Sequence, residues 1–90
     1  MKPSDILAIL RATCAQEMPR KQGLMILCAI YDGPKTDAEI AELTGIRSGS
    51  LATVTMHLKR DGLLTVDDDF RRSLTEQGRD LVEALADCTP

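Results

Sequence analysis

Thr36-Asp-Ala-Glu-Ile-Ala-Glu-Leu-Thr-Gly-Ile-Arg-Ser-Gly-Ser-Leu-Ala-Thr-Val-Thr-Met-His-Leu-Lys-Arg-Asp-Gly62 decides how the rest of the chain is understood. Thr36 and Glu39 have capping-box spacing: the threonine hydroxyl takes the Glu39 amide and the Glu39 carboxylate reaches back to Thr36. Asp37 adds negative charge where a helix dipole favours it. Ile40, Ala41 and Leu43 are expected to face inward, and Thr44-Gly45 closes this short helix with glycine in the left-handed position. A second helix then carries Leu51, Val54, Thr55 and Leu58 on a buried stripe and stops at Lys59-Arg60-Asp61-Gly62. From Leu43 to Arg60 there is no Asp or Glu, while Arg47, Lys59 and Arg60 are cationic. An acid-free helix behind a tight turn is suited to approach phosphates.

Working outward, Ser4 has the chemistry of an N-cap. Ile6, Leu7, Leu10 and Cys14 follow at helical spacing, with Ile9 on another face, so a terminal helix is expected over 4–16. Met18-Pro19 breaks it. Leu24 to Ile30 is apolar all round, as in a central buried helix; a buried strand is the alternative, and the long Leu and Met side chains favour the helix. Asp32-Gly-Pro34 ends that run. Beyond Gly62 the period changes to two. Leu64 and Val66 alternate with Thr65, Asp67-Asp68-Asp69 forms a tip, and Phe70 and Leu74 alternate with Arg71 and Ser73. That pattern predicts a hairpin over 63–74. Thr75 then caps a last helix over 76–87, with Leu81, Val82 and Leu85 on one stripe.

Ninety residues suffice for a single domain, 1–90, with one core. Tyr31 and Phe70 are its only aromatic residues, so that core is aliphatic and sulfur-rich, which suits packed helices. The formal net charge of −3 runs against a nucleic-acid partner, but the distribution is uneven. Acids gather at Asp37, Glu39 and Glu42, at the hairpin tip, and in the last helix. Three cysteines, without CxxC spacing, argue against a disulfide framework. Cys14 and Cys28 are expected to be buried small hydrophobes in a reducing cytosol, and Cys88 an exposed thiol. No run approaches the ~18 apolar residues of a membrane span, and the first residues lack the pattern of a signal peptide. A cytoplasmic, soluble protein is expected. Catalysis, a cofactor and a metal are not: there is no phosphate-cradling glycine loop, no metal-ligand cluster and no nucleophile motif. Asp67-Asp68-Asp69 reads as a solvated turn, and the lone His57 has no second ligand.

A helix-turn-helix followed at once by a β-hairpin is the winged-helix arrangement. Over Pro19 to Leu85 the chain resembles the MarR-type winged helix-turn-helix transcriptional regulators. The likeness is carried by Ile40-Ala41-Glu-Leu-Thr-Gly45-Ile46, by Leu58 followed by Gly62-Leu63-Leu64, and by Leu74-Thr75-Glu-Gln-Gly78-Arg79. The resemblance implies a mainly α fold with a small β-hairpin: a three-helix core, a helix-turn-helix over 36–61, a two-stranded wing over 63–74 and a C-terminal helix. It also implies sequence-specific binding of double-stranded DNA and regulation of transcription, with residues 47–60 as the recognition helix in the major groove. Three departures stand out. The terminal helices are short, the wing tip is acidic, and Arg47 stands where a small N-cap is usual, with Ser48 as the alternative cap one residue later. No residues argue for an effector pocket.

Opposite the buried stripe, the second helix presents Ser48, Gly49, Ser50, Ala52, Thr53, Met56 and, on its flank, His57. Hydroxyls suit several base edges, and the methyl groups of Ala52 and Thr53 suit the thymine methyl. Strong bidentate base contact falls to Arg47. Lys59 and Arg60 fit either phosphate contact or stabilisation of the helix dipole. Arg71 is expected to point outward to phosphate, and Arg72 to lay its stem along the core edge. The acidic tip is expected to stay out of the minor groove. Net acidity and a poorly decorated helix leave an alternative: a winged helix used as a protein-interaction module without DNA binding. A homodimer through the terminal helices is also expected, since Ile6, Leu7, Ile9 and Leu10 cover more than one face of the first. The alternative is that these stripes only close over Leu24–Ile30.

Overall fold

The computed structural model describes residues 2–12 and 19–88, excepting the side chains of 10–12, 19, 20 and 88. Its elements are α1 (Pro3–Ala12), α2 (Pro19–Ala29), α3 (Asp37–Thr44), α4 (Ser48–Arg60), β1 (Leu64–Val66), β2 (Arg72–Leu74) and α5 (Glu76–Cys88). This is the expected winged helix. Pro19 opens α2 at its first position, where a missing N–H costs nothing and a fixed φ favours the helix. Met25 through Ile30 are all buried, so the apolar run is indeed a central helix. It is surrounded by α1, α3, α4 and α5. Full burial of each such aliphatic side chain contributes ~1.5–3 kcal/mol relative to exposure. Cys28 is one of these residues, and burial pushes its thiol pKa up to about 11. Cys14 and residues 13–16 of the expected first helix lie outside the described residues, as do the side chains of Leu10 and Cys88.

The capping box at α3 is complete. Glu39 N donates to Thr36 Oγ1 at 3.3 Å, and Thr36 N donates to Glu39 Oε1 at 3.0 Å. Gly45 ends the helix at φ 76°, its amide bonded to Ala41 O. One inward residue differs from expectation: Leu43 is 39% exposed, and Thr44, fully buried, takes its place. Ile40 and Thr44 share a stripe at i, i+4, and the last turn rotates Leu43 off it. The threonine hydroxyl remains satisfied there, donating to Ile40 O at 2.8 Å and accepting from Ile46 N at 3.3 Å. Ser4 also differs. Pro3 already begins α1, and the amides of Asp5 and Ile6 bond to Lys2 O, so Ser4 sits inside the first turn rather than at the cap.

β1 and β2 pair antiparallel with Leu64 opposite Leu74 and Val66 opposite Arg72. Lys35, just before α3, adds a third backbone partner through reciprocal bonds with Arg72, Lys35 N to Arg72 O at 3.0 Å and Arg72 N to Lys35 O at 2.7 Å. Phe70 does not belong to β2 as alternation suggested. It lies in the turn at φ 61° and is 73% exposed. The strand is only three residues long, and the tip needs Phe70 to reverse the chain. Beyond the wing, Thr75 caps α5 as expected. Its hydroxyl accepts from Gly78 N at 3.1 Å and donates to Gly62 O, just past the end of α4.

Candidate nucleic-acid interface

Helix α4 lies across α2 and α3 with Leu51, Thr55 and Leu58 buried beneath it. Helical period therefore turns the other side outward. Arg47, Ser48, Gly49, Ser50, Ala52, Thr53, Met56, His57, Lys59 and Arg60 are all exposed on one helix. Met56, 61% exposed, is the largest apolar group on that surface. Thr53 donates its hydroxyl proton to Gly49 O at 3.3 Å, leaving its lone pairs and methyl to face a partner. An open groove of about 510 Å³ runs along the flank of α4, between Gln22 and Gly23 of α2 and Gly49, Thr53 and His57 of α4. Periodicity alone did not reveal this groove, because it depends on how α2 crosses α4.

The electrostatics of α4 follow from its ends. Arg47 is the N-cap, with φ −66° and ψ 146°, and its side chain makes no capping bond. Ser48 is a first-turn residue, not the alternative cap, because Ile46 is buried and its amide is held by Thr44, which fixes where the chain turns into the helix. The first turn contains no acid, so its amides and the positive end of the dipole are left for an incoming anion. His57, Lys59 and Arg60 occupy the last turn.

The wing tip is built around Asp67. Its Oδ1 accepts the amides of Asp69 and Arg71, each at 2.9 Å, and its own amide donates to Arg71 O at 3.0 Å. Asp68 and Asp69 are exposed, as a solvated turn requires. Arg71 immediately precedes β2, with its side chain exposed. The Glu39 carboxyl is held below its usual pKa first by the Thr36 amide, then by the Thr36 hydroxyl, with smaller help from the positive charges of Arg71 and Lys35. Arg71 thus stands within electrostatic reach of the start of α3. Arg72 does more than line the core edge. Its Nε meets Asp37 Oδ1 at 3.0 Å as an ion pair, and Nη1 donates to Phe70 O. Sequence reasoning missed this pair, since nothing local links residues 37 and 72. Among the described residues no group of three His, Cys, Asp or Glu side chains could hold a metal ion, and no helix is long and apolar enough to cross a membrane.

No protein-family model and no curated protein matches the sequence. In structure the chain is similar to a MarR family transcriptional regulator from Silicibacter pomeroyi DSS-3, with a TM-score of 0.63 and 22% identity over 89% of this chain. The match covers 65% of that protein, so the chain spans less than two thirds of its length. It is also similar to a protein of Pseudomonas aeruginosa PA01 provisionally described as a transcriptional regulator. There the TM-score is 0.58 and the identity 25%, over 92% of this chain and 77% of the other. These likenesses show the fold, a winged helix of the MarR-like form.

Proposed function

We propose that this MarR-like winged helix binds double-stranded DNA sequence-specifically and regulates transcription, with residues 47–60 as the recognition helix in the major groove. One observation carries the reading: α4 presents an exposed face without a single acid, open at its N-terminus and cationic at both ends. In such a placement Arg47 reaches base edges or phosphates from the helix start. Ser48, Gly49 and Ser50 offer first-turn amides and hydroxyls to the backbone, and Ala52, Thr53 and Met56 meet the floor of the groove. His57, Lys59 and Arg60 lie toward the far strand, and Arg71 contacts phosphate from the wing. Phosphate-directed binding accounts for the missing acids of α4 in a chain of net charge −3.

The protein acts in the cytoplasm, as one domain, in a homodimer whose two recognition helices meet the half-sites of a palindrome. The terminal helices α1 and α5 support that assembly: they pack together and leave Ile9 and Leu81 49% and 41% exposed. No catalytic step enters this function. Titration of labelled duplex DNA at stepped salt concentration tests it. The affinity falls steeply as salt rises, because phosphate contacts release counterions. Absence of binding even at low salt refutes the reading and leaves a winged helix that binds protein.

A further inference from the structure

We propose that Arg72 and Asp37 form the positioning pair that aims Arg71 at the DNA backbone, an inference that rests on the DNA-binding function proposed above. Arg72 joins three parts of the molecule at once. Its backbone is hydrogen-bonded in both directions to Lys35, its Nε is paired with Asp37 Oδ1 at 3.0 Å, and its Nη1 binds Phe70 O across the turn. The side chain is 17% exposed and stands opposite Val66 on the inner face of the hairpin. Asp37 belongs to the first turn of α3, which packs on α4. The ion pair therefore ties the wing to α3, which packs on the helix that carries the groove-facing surface.

Arg71 lies within this framework. Its amide and carbonyl are both bonded to Asp67, and the residues on either side, Phe70 and Arg72, are joined through the guanidinium of Arg72. The Arg71 side chain is left exposed. Phe70 is held at φ 61°, a conformation that non-glycine residues adopt rarely and that persists only when the surroundings impose it. The bond from Arg72 to the Phe70 carbonyl is one of those constraints. Among the described residues neither Asp37 Oδ1 nor Arg72 Nε has a hydrogen-bond partner, so the charge contact between them is what offsets the burial of both atoms. The geometry also requires arginine. The Arg72 Nη1 donates to Phe70 O while the guanidinium charge stands against Asp37, two contacts from one plane, whereas a lysine ammonium is a single point.

The test is a double-mutant cycle on DNA binding. Arg71→Ala is measured in three backgrounds: wild type, Asp37→Asn and Arg72→Lys. The probe is a mixed-sequence duplex of about thirty base pairs, titrated at several salt concentrations, where each phosphate contact contributes about one unit of slope. Circular dichroism verifies the fold of each variant. Affinity alone is not the readout, because Asp37→Asn removes a negative charge near the phosphates; Arg72→Lys preserves both charges and removes only the fork. In the wild-type background, Arg71→Ala reduces the salt slope by about one unit. In either pair variant the same change alters the slope by less than roughly half of that, because Arg71 is no longer aimed. A full one-unit effect in all three backgrounds overturns the proposal and reduces the pair to a fold-stabilising contact. DNA binding with no Arg71 effect in wild type overturns it too, while leaving DNA binding by α4 intact. Failure of the wild type to bind the duplex at low salt overturns both.

Discussion

Replacing Gly78 with alanine adds one methyl group where the wing meets α5. An added Cβ there stands 1.9 Å from Leu63 O, 3.0 Å from Leu63 C and 3.1 Å from Leu74 Cδ2. The nearest obstacle is backbone and is itself fixed, since Leu63 O accepts the Thr75 amide at 3.2 Å. The helix must therefore retreat by about an ångström or β1 must deform. Retreat strains the cap bond from Gly78 N to Thr75 Oγ1 and lifts Val82, 1% exposed, out of the core. Overpacking costs ~1–3 kcal/mol and a lost threonine cap about 1 kcal/mol more. The sum, roughly 3 kcal/mol, lowers Tm by about 12–24 °C in a domain of this size. Thermal melting followed by far-UV circular dichroism measures it, with Gly49→Ala as control. A Cβ at Gly49 meets nothing within 4 Å, so that variant melts at the wild-type temperature or up to ~1 kcal/mol more stably. A Gly78→Ala protein melting within about 4 °C of wild type refutes the reasoning. It would mean that wing and α5 are not packed as closely as the Leu63 carbonyl implies.

Arg47→Ala is expected to weaken duplex binding by about 1–3 kcal/mol without changing Tm; unchanged affinity and sequence preference in a binding titration would remove Arg47 from the interface. Thr44→Val and Thr55→Val separate two buried hydroxyls in denaturant titrations. The first leaves the Ile46 amide unpaired and costs ~1–3 kcal/mol, whereas the second deletes a hydroxyl that has no partner among the described residues and is neutral or stabilising; equal effects would contradict the hydrogen bonding described. Glu39 has a depressed carboxyl pKa in the fold, so its stabilising effect is complete above the ordinary glutamate range and is lost as pH falls through the folded-state value. The Tm difference between wild type and Glu39→Gln should hold steady from neutral pH into the mildly acidic range and then shift against the wild type, and parallel curves would count against the capping box.

Local chemistry was the part most legible in the sequence. The Thr36–Glu39 box, the left-handed Gly45 and the Thr75 cap each act within four residues, and each formed as the spacing predicts. The run from Leu24 to Ile30 was equally plain, because a segment apolar on every side has few places other than the centre. Errors arose where a decision depended on a distant neighbour or on a very short element, and at Ser4, where Pro3 had already begun the helix. Leu43 and Thr44 are adjacent at a helix end, and the one that turns inward is set by how α3 crosses the core. Phe70 continued an alternating pattern, but a three-residue strand has too little period to outweigh the demands of the turn. The outward face of α4 followed from helical period, whereas the ion pair between Arg72 and Asp37 did not, since two residues on different elements meet only after the hairpin has folded against α3.

Thr75 also has a mechanical consequence. One hydroxyl donates to Gly62 O beyond the last turn of α4 and accepts Gly78 N in the first turn of α5. The two helices consequently share a joint rather than a flexible strap, and the whole wing is spliced into the chain between the two sides of that joint. A tilt of α5 is thereby levered onto the end of α4 through this hydroxyl and through the backbone bond from Thr75 N to Leu63 O beside it.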